Sequence, residues 1–415
     1  MSALWYPYAC PNTEPSLKLV RGDGVYVVDS QGREYINGAG GLWNITLGLN
    51  NRELASRMTA QLELMAYGTL FNSSHPPAQQ LAERLVELSN GLMEKVYLST
   101  TGSSAVEVAI RAAKLSQRAR GNDEKKEVIS FDKSYHGCSL MNLSASGLKH
   151  ADLMRWEDIL PGFHLIPSPD EEGRSLDALS TLLEARREHI ACLVMEPILG
   201  SAGLLVPSKQ YCEQLGNLCK EHEVLLIADE VATGGGRCGA MFASGLLGLE
   251  PDIITLSKAL NSGYYPLGAT LFKRHVVEPI EKAGAPLLYG STQDGNPVAC
   301  AAALATLDYL ESHDLYNRAV SLGGMIRREL EGLLGSSAVK EIRGLGIMLG
   351  IELAHQNGTP FTLKEVIAVR AQCQEEGLLV YHYDSGLSLF PPMTLSDEEA
   401  ENLLDILKSV LCRVL

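Results

Sequence analysis

At roughly 100–200 residues per domain, a chain of 415 residues with 46% hydrophobic content supports two or three domains with substantial apolar cores. Its 35 Lys+Arg against 50 Asp+Glu leave a net charge of −15, which argues against nucleic acid or anionic membranes as partners and for a freely diffusing protein. Nine scattered cysteines form no C-x-x-C pair, and their odd number argues against a disulfide framework or a zinc site and for a reducing cytoplasm. The first residues lack a basic region followed by an apolar segment, and no apolar run approaches the ~20 residues of a membrane span, so neither secretion nor insertion is expected.

In chain order, short apolar runs alternate with helical patterns, which is how a mostly parallel central sheet with helices on both faces is written in an α/β protein. Val96-Tyr97-Leu98, Val128-Ile129-Ser130-Phe131, Cys192-Leu193-Val194-Met195, Leu225-Leu226-Ile227 and Ile253-Ile254-Thr255-Leu256 read as its strands. Between them, Ala105, Val106, Ala109, Ile110 and Ala113 recur at helical spacing, as do Leu176, Leu179, Leu182 and Leu183 and the stretch from Tyr211 to Leu218. A small-residue helix from Pro297 through Ala305 leads out of this sheet. Strand-like Ile347-Met348-Leu349-Gly350-Ile351 and an amphipathic helix from Asp397 to Val414 then belong to a smaller α+β domain. The expected organisation is residues 1–45 as an N-terminal segment joining the small domain, 46–305 as the large domain and 306–415 as the C-terminal small domain.

The chemistry-bearing residues fall at the ends of the strands. After the first strand, Ser99-Thr100-Thr101-Gly102-Ser103-Ser104 leads into a helix expected to begin near Ser104, so hydroxyls and unpaired N–H groups converge where an anion is favoured. After the second, Tyr135-His136-Gly137 offers an aromatic to stack on a flat ring and a glycine that permits close backbone approach. Glu196-Pro197 and Asp229-Glu230 place carboxylates after the next two strands, and Lys258 follows the apolar run that starts at Ile253. A strand-end lysine ordinarily lifts its ammonium into water, and a strand-end acid ordinarily starts a solvated loop. In a parallel sheet, however, ligands lie at the carboxyl ends of the strands, where all of these residues fall. A lysine to form a Schiff base and an aspartate to keep a pyridine nitrogen protonated, on adjacent buried strands, suit pyridoxal 5'-phosphate.

With these residues assembled, the chain resembles the class III aminotransferases, a family of fold type I pyridoxal phosphate enzymes, and its pattern is most similar to the amine and ω-amino acid:pyruvate transaminases. The likeness spans nearly the whole chain. It runs through Gly41-Leu42-Trp43, Thr101-Gly102-Ser103, Tyr135-His136-Gly137, Glu196-Pro197-Ile198-Leu199-Gly200, Asp229-Glu230-Val231, Ser257-Lys258, Gly290-Ser291-Thr292, Asn296-Pro297, Arg343-Gly344 and Pro391-Pro392. The resemblance implies that Lys258 carries the cofactor and moves the proton, and that Asp229 pairs with the pyridinium. It implies that Val231 and Tyr135 sandwich the ring, that Gly102 and Ser103 hold the phosphate, and that Glu196 completes the cofactor site. It further implies that Trp43 is the substrate residue and that Thr292 reaches the phosphate of a neighbouring subunit, which would make a homodimer the minimum working unit.

The implied reaction is a ping-pong transamination between an amine or ω-amino donor and a carbonyl acceptor, the acceptor being a free metabolite or a carbonyl on a larger biosynthetic intermediate. An aminomutase, epimerase or decarboxylase of the same family is the alternative, and a non-catalytic protein on this fold a more distant one. Some positions depart from the family pattern. Many members carry an arginine before the Pro-Pro pair that clamps a substrate carboxylate, where this chain has Ser388, and an acidic switch residue after the Glu-Pro motif, where it has Ser201. Gly235, Ser104, Asn261-Ser262 and Gln293-Asp294 also depart from it. An acidic co-substrate is then expected to find its cation on the Lys149-His150 to Arg155 segment or at Arg237, and Asp294 to favour a cationic amine if it enters a neighbouring subunit's pocket.

Overall fold

Every strand-like apolar run of the sequence but the first, Val96-Tyr97-Leu98, is buried along its length because helices cover the sheet it joins. The computed structural model describes residues 3–148 and 159–414. The chain opens with β1 (Leu19–Asp23), β2 (Tyr26–Asp29) and β3 (Glu34–Asn37), an antiparallel meander. The central sheet follows from β4 (Lys95–Ser99), β5 (Glu127–Phe131), β6 (Phe163–Ile166), β7 (Ile190–Met195), β8 (Leu225–Asp229), β9 (Ile253–Leu256) and β10 (Gly268–Phe272). Its seven strands lie in the order β4-β10-β9-β8-β7-β5-β6. The ladders from β9 through β6 are parallel, while β10 runs antiparallel to both β4 and β9. This is a mostly parallel sheet. Strands β7, β8, β9 and β10 are buried along their whole length, which is why β7 to β9 read as unbroken apolar runs.

Two strands left no such run in the sequence. Gly-Ala-Thr-Leu-Phe of β10 mixes small and polar residues, and edge strand β6 carries His164 and buries only Ile166 of its four residues. The helices match their spacing signals: Glu172–Arg186 buries Leu179 and Leu183, and Lys209–Glu221 buries Tyr211, Cys212, Leu215 and Cys219.

The small-residue helix spans Pro297–Ser312 and packs against the helices Arg52–Leu64 and Pro76–Leu88. Asn296 caps it by accepting the N–H groups of Val298 and Ala299, at 2.9 and 3.3 Å, with Pro297 at its first turn. The division expected at residue 305 falls inside this helix.

Beyond it stand β11 (Val339–Leu345), β12 (Met348–Leu353), β13 (Leu378–Leu379), β14 (Tyr381–Tyr383) and β15 (Gly386–Leu389). Strands β11-β12-β15-β14 form one sheet, while β13 adds in parallel to β3, joining the N-terminal meander to the C-terminal part of the chain. The last helix, Asp397–Arg413, starts with a reciprocal capping box between Ser396 and Glu399 and buries Ala400, Leu403, Leu404, Leu407, Val410 and Leu411. All nine cysteines are unpaired thiols. Among the described residues no helix is long and apolar enough to cross a membrane.

Candidate active site

Because β10 reverses direction between β4 and β9, the C-terminal end of β4 lies on the same edge as those of β9, β8, β7 and β5. A cavity of about 720 Å³ opens along that edge. Its walls include Gly102 and Ser103 after β4, Tyr135 and His136 after β5, Glu196 after β7, Asp229 and Val231 at the end of β8 and Lys258 after β9. Trp43 enters from the N-terminal segment, so the structure brings together every expected site residue except Thr292, which is exposed and outside this wall.

Asp229 is oriented by three contacts. Its Oδ1 accepts the Thr255 hydroxyl at 3.0 Å and the Val231 N–H at 3.1 Å, and its Oδ2 lies 2.7 Å from Nδ1 of His136, which donates toward this acceptor-only group. Thr255 is the cross-strand partner of Asp229 in the β8–β9 ladder. The role of His136 was missed from sequence, although its place beside Tyr135 put it on this edge. The structure makes it the partner of the aspartate, fully enclosed, with Nε2 lacking a hydrogen-bond partner among the described residues.

Lys258 opens a short 3-10 turn and sits at φ +37°, a left-handed backbone that a non-glycine residue adopts only under constraint from its surroundings. Burial of its ammonium lowers its pKa to about 8, and the nearby Arg237 charge adds to the effect, with Asp229 and Glu196 opposing. Its Nζ lies 4.6 Å from the centroid of the Trp43 ring. Burial has the opposite consequence for Glu196, whose pKa rises to about 7 with His136 opposing and Asp229 contributing. The Glu196 carboxylate accepts the N–H of Tyr135 at 3.0 Å and that of Gly200 at 3.1 Å, which ties the loops after β5 and β7 together.

The helix after β4 begins at Gly102, two residues ahead of the expected start, because Thr101 is its N-cap and accepts the Ser104 N–H at 3.0 Å. Gly102 and Ser103 therefore lie in the first turn, where backbone N–H groups have no intrahelical acceptor. A Cβ on Gly102 would stand 2.8 Å from Cγ1 of Val231, and one on Gly137, at φ +117°, would stand 2.2 Å from the Ser103 hydroxyl oxygen. The two glycines leave room for the loops after β4, β5 and β8 to approach one another at the cavity. An amine with lowered pKa, a fixed carboxylate and a helix N-terminus at one cavity fit the aldehyde, ring nitrogen and phosphate of pyridoxal 5'-phosphate.

Comparison with known proteins agrees with this chemistry. The sequence model of the family Aminotransferase class-III matches residues 8–411. An omega-aminotransferase of Caulobacter vibrioides is 31% identical over 100% of this chain and 98% of its own length. An adenosylmethionine-8-amino-7-oxononanoate aminotransferase of Geobacter sulfurreducens is 32% identical over 97% and 94%. The chain is a class III aminotransferase. Among solved structures, it matches a pyridoxal-phosphate-bound amine transaminase from an uncultivated Pseudomonas species with a TM-score of 0.94 and 32% identity, covering 100% of this chain and 99% of that one. The omega transaminase of Pseudomonas jessenii in complex with PMP matches with a TM-score of 0.95 and 30% identity, over 99% and 96%. This aminotransferase thus has the fold type I architecture and uses pyridoxal 5'-phosphate to move an amino group from an amine donor to a carbonyl acceptor.

The aminotransferase's expected cations and switch residues sit elsewhere than the sequence suggested. Arg237 is 2% exposed and outside the cavity wall, with Nη1 donating to the Trp43 carbonyl at 2.6 Å, so it is not presented to a substrate there. Ser388 is 1% exposed within β15, paired across the sheet with Gly350 and Tyr381, and its hydroxyl has no partner among the described residues. The carboxylate of Asp294 is occupied within its own chain, accepting the Thr100 hydroxyl at 2.8 Å and the Ser291 N–H at 2.7 Å, which counts against its entry into a neighbouring pocket. The Lys149-His150 to Arg155 segment lies outside the described residues.

Proposed function

We propose that this aminotransferase prefers a primary amine or an ω-amino acid as donor, whose reacting carbon bears no carboxylate. The observation that carries this reading is the cavity wall: among its described residues there is no arginine, and Lys258 is its one lysine. A carboxylate beside the reacting carbon finds no guanidinium to clamp it, and Ser388 cannot supply the bidentate pair. Relatives that bear the names omega-aminotransferase and amine transaminase are in line with this donor class.

When bound at Lys258, pyridoxal 5'-phosphate supplies the electron sink that weakens a C–H bond next to the substrate nitrogen. The chain's own residues do the rest. Asp229, oriented by His136 and Thr255, pairs with the ring nitrogen, while Val231 and Tyr135 pack the two faces of the ring. Gly102 and Ser103 bind the phosphate. Glu196 braces the Tyr135 loop, and Trp43 walls the substrate side. The Lys258 amine would carry the proton between the substrate carbon and the cofactor's C4' atom.

A homodimer in which Thr292 reaches the partner's phosphate completes this reading. The exposed side chains around Thr292 support it: Tyr67 donates to the Thr292 carbonyl at 2.8 Å, Phe71 covers Gly290, and Leu288 is left 82% exposed. A cytoplasmic location agrees with nine free thiols. Donor half-reactions followed by loss of the bound cofactor's visible band test the donor class. A primary amine and an ω-amino acid should each exceed glutamate by about tenfold or more in rate over half-saturation, the worth of one lost charge-assisted pair. Glutamate as the fastest donor would sink the assignment.

A further inference from the structure

Gly40, Gly41, Leu42 and Trp43 form a run of four left-handed residues, with φ of 55°, 55°, 60° and 67°. Glycine accepts that backbone readily, but Leu42 and Trp43 carry a Cβ that resists it, so the turn persists only where its surroundings impose it. Its first half is held locally: the Asn37 side chain accepts the Gly41 N–H at 3.1 Å, and the Ile45 N–H returns to the Gly40 carbonyl at 2.8 Å. Leu42 contributes little packing, being 59% exposed. The Trp43 end is held locally by its own N–H on the Ala39 carbonyl at 3.0 Å and by Nδ2 of Asn44 on the Leu42 carbonyl at 3.1 Å, and from far along the chain by Nη1 of Arg237 on the Trp43 carbonyl at 2.6 Å.

Arg237 is an unusual group to find there. It is among the largest fully buried side chains, it has no carboxylate partner among the described residues, and its Nε and Nη2 lack hydrogen-bond partners. An interior charge without a counter-ion is costly, so the contacts it does make carry its placement. Both lead to Trp43. One is the carbonyl bond, and the other is the Phe390 ring, 5.9 Å from the guanidinium carbon, which stacks on the indole at 4.3 Å and 16°. The opposite neighbour of that indole is the Lys258 amine, 4.6 Å from its centroid.

We propose that Arg237 is a positioning residue that helps hold Trp43 in its left-handed backbone and so fixes the indole beside Lys258. That role is independent of the reading of Trp43 as a substrate residue. Replacing Trp5 and Trp156 by Phe leaves Trp43 as the single tryptophan of the chain, which has three. In that cofactor-loaded enzyme, Arg237→Met is expected to raise the acrylamide quenching constant of Trp43 by about threefold, as a buried indole becomes accessible. Arg237→Lys, which keeps one donor for the carbonyl, should recover part of the effect. Leu42→Val, an exposed change that resists positive φ, should reproduce it with Arg237 intact.

Parent-level quenching in folded Arg237→Met, even with a lowered melting temperature, overturns the proposal. If Arg237→Met does not fold, parent-level quenching in both Arg237→Lys and Leu42→Val overturns it.

Discussion

Lys258 shows how one residue acquires its chemistry from its surroundings. Its amine is ordinary in sequence, yet burial first and Arg237 second bring its pKa from 10.5 down to about 8. The sign is set by the reacting form: only the neutral amine attacks a carbonyl, and a lowered pKa makes that form available at lower pH. At pKa 8 about one tenth of the amine is neutral at pH 7 and about half at pH 8, against less than about one part in a thousand at pH 7 for an unperturbed lysine. Attachment of pyridoxal 5'-phosphate to the cofactor-free protein, followed by its visible band, should therefore accelerate about fivefold from pH 7 to 8 and level off above pH 9. A rate that keeps climbing tenfold per pH unit through pH 9 toward 10.5 would contradict the perturbed amine.

At the scale of elements, the cavity depends on how closely two loops approach. The turn after β5 passes the first turn of the helix Gly102–Ala119 with only hydrogen atoms on Gly137 between it and the Ser103 hydroxyl. Gly137 also sits at φ +117°, outside the range side-chain-bearing residues adopt freely. Gly137→Ala combines backbone strain with overpacking and should destabilise the protein by about 3 kcal/mol, read as a lower denaturant midpoint at unchanged slope. It should also weaken retention of pyridoxal 5'-phosphate, because Ser103 must move to make room. A midpoint within error of the parent would show that the turn relaxes without cost. The strand signals differ in the same physical way: β8 and β9 were legible because burial on both faces demands apolar residues, whereas β10 is filled by Gly268, Ala269 and Thr270. The Thr270 hydroxyl there is satisfied by the Ala105 carbonyl at 2.9 Å, a partner no local pattern announces.

For the whole molecule, the open question of assembly has a direct test. If Thr292 serves the partner's phosphate, Lys258→Ala and Thr292→Asp subunits are each nearly inactive alone but together build one native site per mixed dimer. Dissociating and reassociating an equal mixture should then restore activity to about one quarter of the parent's per subunit, since about half of the dimers are mixed and half of their sites are intact. Thr292 acting within its own chain predicts no restoration. The exposed Tyr67, Phe71 and Leu288 beside the Gly290-Ser291-Thr292 segment are the surfaces on which such a dimer would bury apolar area.

By itself, the sequence determined the cofactor and the gathering of the expected site residues at one edge of the sheet, because each signal is local. Asp229 and Lys258 end apolar runs, Thr101 is a capping residue, and the order of the motifs follows from the alternation of strand and helix. Tertiary structure decided what each group touches. His136 meets Asp229 across 93 positions of chain, Arg237 reaches Trp43 across 194, and Thr100 finds Asp294 across 194. Periodicity and capping report which face of an element is buried, but carry no record of which distant side chain arrives there. The sequence left Arg237 a candidate cation for substrate because its charge is visible in one letter; that it lies under Phe390 with its fork turned to a backbone carbonyl is a property of the packed core alone.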